Sequence, residues 1–198
     1  MRLWLKRGQS GHLHHAKGVR TSLSILLAAA LCASAAASQA PSNPELAKLK
    51  AEDQAARTGT YESINWDKLS VEDAARRARV LDFLRHGSVR TAEDYCNAAM
   101  IFQHGETVDD TRLAHALATT SRALDPSGKQ CRWLSAAAWD RLMMRLGKPQ
   151  WYATQFTKSQ AGTWELYKVD ETAVTDADRA ALDVPPLAES RARAARIR

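Results

Sequence analysis

Four stop signals at near-regular spacing divide the middle of this chain: Gly87, Gly105, Asp125-Pro126-Ser127-Gly128 and Gly147. The segments between them open on residues able to cap a helix and carry apolar side chains at helical intervals, which restricts this stretch to helices joined by short turns. Ser70 reads as the first N-cap, with Glu72 and Asp73 in the positive first turn and Ala74, Ala78, Leu81 and Leu84 as the inward stripe; Gly87 ends the helix in a left-handed conformation. Thr91 opens the next, where Tyr95, Ala98, Ala99 and Phe102 fall at i, i+3, i+4 and i+7. A third runs from Asp109 to Leu124 with Leu113, Ala116, Leu117 and Ala123 inward, and a fourth from Lys129 to Leu146 with Leu134, Ala138, Leu142 and Leu146 on one face. Small alanines at close-approach positions complete the expectation of a mainly α fold, built from antiparallel helical hairpins in a tetratricopeptide-like array.

The flanks read differently. Residues 41–46 form a linker running into a helix with Leu46, Leu49 and Ala56 as a thin apolar stripe. Residues 58–67 break the pattern at Gly59, and Trp66 is expected to pack back onto the core. Beyond Pro149 the strand formers Trp151, Tyr152, Thr154, Phe156, Trp164, Leu166, Tyr167 and Val169 surround Ser159-Gln160-Ala161-Gly162, which predicts a short β-hairpin or extended flap over 151–169. A lone hairpin is marginal in water, so its aromatics must rest on the helices. Thr175 caps a short helix to Leu182, and Pro185-Pro186 separates it from a basic C-terminal helix, 186–198, carrying Arg191, Arg193, Arg196 and Arg198.

The first 40 residues contain Arg2, Lys6, Arg7, Lys17 and Arg20 and no acid, with an apolar run from Leu23 to Ala37 and small-x-small patterns at Ala33-Ser34-Ala35 and Ser38-Gln39-Ala40. Those are the marks of a cleavable secretory signal over 1–40, leaving 41–198 as one helical domain, periplasmic or secreted. The run falls short of the roughly 20 apolar residues of a membrane span. Removing its five cations from the 28 basic residues leaves 23 against 22 acidic ones, so the basic balance belongs to the leader and argues for no nucleic-acid partner. Membrane contact after cleavage is not expected; the arginines of the last helix read as a solvated face, with anionic lipid heads as the lesser alternative. Of three cysteines, Cys96 and Cys131 remain in the mature chain, an even pair that implies a disulfide in an oxidising compartment. Each lies early in its helix, and helices separated by one antiparallel neighbour run parallel, which puts both at the same end.

The chain lacks an H-E-x-x-H pair, a C-x-x-C and a G-x-S-x-G, so neither a metal nor a cofactor is expected and no nucleophile is placed beside a base. His86 and His104 each precede a glycine, where an imidazole meets the negative end of a helix. Asp109-Asp110 and Glu52-Asp53 read as helix starts and solvated faces. The richest stretch is Asp140-Arg141 followed by Gly147-Lys148-Pro149-Gln150-Trp151-Tyr152-Ala153-Thr154-Gln155, a mixture of aromatic walls and oriented polar groups that suits a ligand pocket. It equally suits a helix end whose buried backbone is satisfied by side chains.

Asp53-Gln54 with Arg57, then Gln103-His104, then Asp140-Arg141 with Gly147-x-x-Gln150-x-Tyr152-Ala153-Thr154-Gln155 resemble an uncharacterised bacterial family, a domain of unknown function marked by a Gln-His pair and a Tyr-Gly-Thr-Gln stretch after an Asp-Arg. The resemblance spans about 52 to 187. It implies a helical fold in which the Gln-His and Thr-Gln segments meet, and it brings no activity. Ala153 stands where the pattern has glycine, which costs the chain if that residue needs a positive φ. The expected function is a non-enzymatic exported module for protein or peptide binding, or scaffolding, in the cell envelope. The alternative is a small-molecule or hydrolytic site drawn from Gln103, His104, Asp140, Arg141, Gln150, Tyr152, Thr154 and Gln155, with His104 as acid or base, Asp140 orienting it and Arg141 clamping an anion.

Overall fold

The computed structural model describes residues 40–197, so the segment read as a signal lies outside the described residues apart from Ala40, as does Arg198. In chain order the elements are α1 (Pro44–Ala55), a 3₁₀ turn (Tyr61–Ser63), α2 (Trp66–Arg85), α3 (Ala92–Gln103), α4 (Val108–Leu124), α5 (Lys129–Arg145), β1 (Phe156–Lys158), β2 (Trp164–Leu166), α6 (Asp176–Ala181) and α7 (Leu187–Ala194). The fold is mainly helical, with one two-stranded antiparallel sheet in which Thr157 opposes Glu165. Among the described residues no helix is long and apolar enough to cross a membrane.

Local chemistry explains most helix ends. Thr91, Thr107 and Thr175 each form a capping box with the aspartate three residues on, Asp94, Asp110 and Asp178. Gly87 and Gly147 close α2 and α5 at φ +64° and +68°, where a Cβ would be strained. Gly105 follows α3 for another reason: a Cβ there would lie 2.1 Å from Cβ of Asp110.

Helix α3 is the centre of the molecule. Every side chain from Asn97 to Gln103 is buried, and α1, α2, α4 and α5 all pack against it. Ala98, Ala99, Ala114, Ala118 and Ala138 let these helices approach closely, while Leu46, Val80, Ile101, Phe102 and Leu134 fill the remaining space. A disulfide joins Cys96 of α3 to Cys131 of α5 with their Cα atoms 5.7 Å apart, as the cysteine pair implied.

Several finer expectations fail. Helix α2 begins at Trp66, because Asn65 and not Ser70 accepts from the Lys68 amide; Ser70 lies within the helix and donates to Glu106. Its buried face is Leu69, Asp73, Val80 and Phe83, so Ala74 and Ala78 point to solvent. Apolarity misled there because the inward stripe contains an aspartate that arginines neutralise. On α4 the buried set is Thr111, Ala114, Leu117, Ala118 and Ser121, which leaves Ala116 and Ala123 exposed, and Leu146 beyond α5 is exposed as well. Trp66 stays half exposed: its indole donates to the Tyr61 carbonyl at 2.9 Å and its ring lies against Tyr61, which also meets Trp164 of β2 edge-on. The basic C-terminal helix stops at Ala194, so Arg196 lies past its end; Arg191 pairs with Glu171 and Arg193 lies over the Phe156 ring.

Candidate functional site

The site is built on the last turns of α5, whose two faces do different work. Residues 137, 141 and 145 form one ridge at helical spacing and look toward the end of α3; Ser135, Trp139 and Met143 form the opposite ridge. Asp140 lies between them, fully buried, and holds the loop that follows the helix. Its Oδ1 accepts from the amides of Trp151 (2.8 Å) and Tyr152 (2.9 Å), and its Oδ2 from the amide (3.0 Å) and hydroxyl (2.8 Å) of Thr154. Burial pushes this carboxyl above its ordinary range, against the pull of those four donors. Gln150 clamps the same loop from inside. Its side-chain amide donates to the carbonyls of Gln155 and Tyr167 and accepts from the Gln155 amide, each within 2.9 Å. Irregular backbone can be buried only when its polar groups are met in this way.

The clamped loop needs a left-handed residue at its tightest point. Ala153 occupies it at φ +65° with its side chain buried, a conformation that costs an L-residue roughly 1 kcal/mol or more. A glycine would sit there without that strain.

On the α3-facing side the Gln-His and Thr-Gln segments do meet. The side-chain amides of Gln103 and Gln155 both donate to the Ala137 carbonyl, each at 3.2 Å. Gln155 turns its Oε1 to Nε of Arg141 at 3.0 Å. Arg145, one turn on, donates to the Gly105 carbonyl beside His104 at 3.0 Å. His104 caps the C-terminus of α3, and its Nδ1 lies 2.9 Å from Oδ2 of Asp53 on α1. Asp53 is completely buried and also accepts from Arg57 (2.9 Å) and Gln54 (2.8 Å); Arg57 continues to Asp73, which Arg76 shares. Burial raises the Asp53 carboxyl, but its bond to His104, with help from Gln54 and Arg57, wins and holds it below the ordinary range.

The charge balance of this cluster is lopsided. Asp53 and Asp73 are taken up by Arg57, Arg76 and His104, while Arg141 and Arg145 have no carboxylate partner among the described residues. Burial, together with Arg145 and Arg57 nearby, lowers Arg141 from its ordinary value to about 10. Nε2 of His104 forms no hydrogen bond among the described residues, and Oε1 of the buried Gln103 is likewise unpaired. Swapping the Gln103 amide would set two oxygens against each other at Ala137, so its orientation is determined.

The expected set therefore divides. Gln103, His104, Arg141 and Gln155 come together. Asp140, Gln150 and Thr154 buttress the loop behind them, so Asp140 cannot orient His104; Asp53 does, and it is no solvated acid. Tyr152 faces the other way and borders a cavity with Trp139, Trp151 and His115. His86 serves only its helix end, with Nδ1 2.7 Å from the Asp82 carbonyl. Arg57, Asp73 and Arg145 were missed as members of the cluster. The i, i+4 spacing of Asp53 and Arg57 was the available signal for the first of these.

Comparison with protein-family models, with curated proteins and with solved structures finds no match for this chain.

Proposed function

We propose that this protein is an exported helical binding module, periplasmic or secreted, that holds an anionic group of its ligand or peptide partner at the end of α3 and α5. Arg141 carries this reading: it turns inward beside Gln155 and two further arginines, with no carboxylate among the described residues to neutralise it. An unpaired guanidinium in a partly water-excluded place is costly unless an oxyanion completes it, and the planar fork of arginine suits carboxylate and phosphate alike. The residues behind the family resemblance supply most of the cluster, and the disulfide accords with an oxidising compartment.

Titration calorimetry with inorganic phosphate, and separately with acetate, tests this. Saturable binding is expected with at least one of them. Arg141→Met should weaken it roughly tenfold or more, the scale of a charged hydrogen bond, and Arg191→Met, which only frees Glu171, should leave it unchanged. Absence of binding to both, or an Arg141→Met variant that binds as well as the parent, would sink the proposal.

A hydrolytic reading is favoured by one observation, the orientation of His104 by a buried aspartate with Nε2 left available. No serine, threonine or cysteine is hydrogen-bonded to His104 among the described residues, so water would be the nucleophile. Turnover of p-nitrophenyl acetate or phosphate that His104→Asn abolishes would support it; rates equal to buffer would remove it.

A further inference from the structure

On the opposite ridge of α5, away from the anion cluster, the structure carries a cavity of about 200 Å³. Trp139, Trp151, Tyr152, His115, Arg122 and Leu182 border it. Trp139 and Trp151 meet edge to face with their centroids 4.7 Å apart, and the His115 ring lies 5.3 Å from Trp139. Another cavity, of about 330 Å³, borders the same two tryptophans from the side of Met143 and Pro149. Both indoles therefore border open space as well as core.

Two polar groups here lack partners among the described residues. Nε1 of Trp139 is buried and unpaired, an uncommon state for an indole donor. Arg122 forms no ion pair, yet it sits close enough to act on His115 and Tyr152. His115 adds no second charge. Its Nδ1 faces the Ser135 carbonyl at 3.1 Å, which fixes the proton there, and burial foremost, with Arg122 assisting, lowers its pKa. Asp140, Asp178 and Arg179 also act on Tyr152, but Asp140 is taken up by the loop amides, Asp178 by the Thr175 cap and Arg179 by Asp176, so the unpaired charge lining this place is Arg122, with an unmet indole donor in the same wall and room for about one ring.

We infer that this cavity is a binding site for a small aromatic carboxylate, its ring extending the Trp139–Trp151 edge-to-face packing and its carboxylate accepting from Arg122 and Nε1 of Trp139. An aliphatic acid would satisfy the charge without the ring packing, and a neutral aromatic would leave both donors unmet. Because Nε1 is occluded here, the indole must turn slightly as the carboxylate enters.

Benzoate is the probe, with binding read by calorimetry on the whole protein. Saturable binding is expected, weakened roughly tenfold or more in Arg122→Met, as for loss of a charged hydrogen bond. Trp139→Phe keeps a ring and removes the N–H, so it should weaken benzoate too, with little change in melting temperature. Cyclohexanecarboxylate should bind less tightly than benzoate. No saturable binding at millimolar benzoate overturns the inference, and so does equal affinity for the two acids. Arg141→Met separates the two sites: if it abolishes benzoate binding while Arg122→Met does not, the acid sits in the anion cluster, which upholds that reading and refutes this one.

Discussion

Asp140→Ala is expected to destabilise the folded protein by about 4 kcal/mol, because it strips the partner from three backbone amides and a hydroxyl in a buried loop, each unmet group costing roughly 1–3 kcal/mol before water and relaxation recover part. For a domain of this size that corresponds to a fall in melting temperature of roughly 10 °C, at 2–4 °C per kcal/mol. Asp140→Asn should cost less. Its oxygen can keep Trp151 and Tyr152 while its NH₂ confronts the Thr154 amide, and the Thr154 hydroxyl can rotate to accept. The loop also carries Gln155, the residue that aims Arg141, so phosphate binding should fall in both variants in proportion to the damage. Thermal unfolding followed by circular dichroism checks the order parent, asparagine, alanine. An alanine variant within 1 kcal/mol of the parent would mean that water replaces the carboxylate and that Gln150 alone holds the loop.

Breaking the disulfide should have an effect of similar size by another route. Cys96 and Cys131 are 35 residues apart, and closing a loop of that length restricts the unfolded chain by about 4 kcal/mol in the loop-entropy treatment. Cys96→Ser should lower the stability of oxidised protein by about that amount, and reductant should bring the parent down to the same level while leaving the variant unmoved. The domain should still fold, since its core is extensive and the helices are well capped. If neither serine nor reductant shifts the transition, the bond contributes nothing to the native balance. The two losses should be nearly additive, because Cys131 and Asp140 lie nine residues, roughly 14 Å, apart along α5.

The architecture could be read from the sequence wherever local chemistry acts alone. The threonine caps at 91 and 175, the glycine stops at 87 and 147 and the turn at Asp125–Gly128 are each a local choice of backbone conformation, and each stands where the pattern put it. Faces were harder. Asp73 on the buried stripe of α2 and Ser121 on that of α4 are polar; Asp73 is met by Arg76 on its own helix and by Arg57 from 16 residues back, outside α2, and Ser121 by the Ala92 carbonyl of α3, so two of these three partners lie on no stretch of the same helix. The site was visible as a collection of residue types and not as an arrangement. That Asp140 looks down into a loop while Asp53 orients His104 depends on which turn of α5 meets the end of α3, a tertiary fact with no local signature.

That meeting place has a mechanical consequence. Helices α3 and α5 carry the disulfide near their starts, and the Gln103–Ala137 hydrogen bond joins them again seven residues further along α3 and six further along α5, roughly 10 Å away. Two parallel rods pinned at one point can still pivot and slide past each other. Pinned at two points, they keep a fixed offset. The Gln103–Ala137–Gln155 junction is one pin and the sulfur bridge the other, so the bridge sets the alignment of guanidinium and imidazole groups that it never touches.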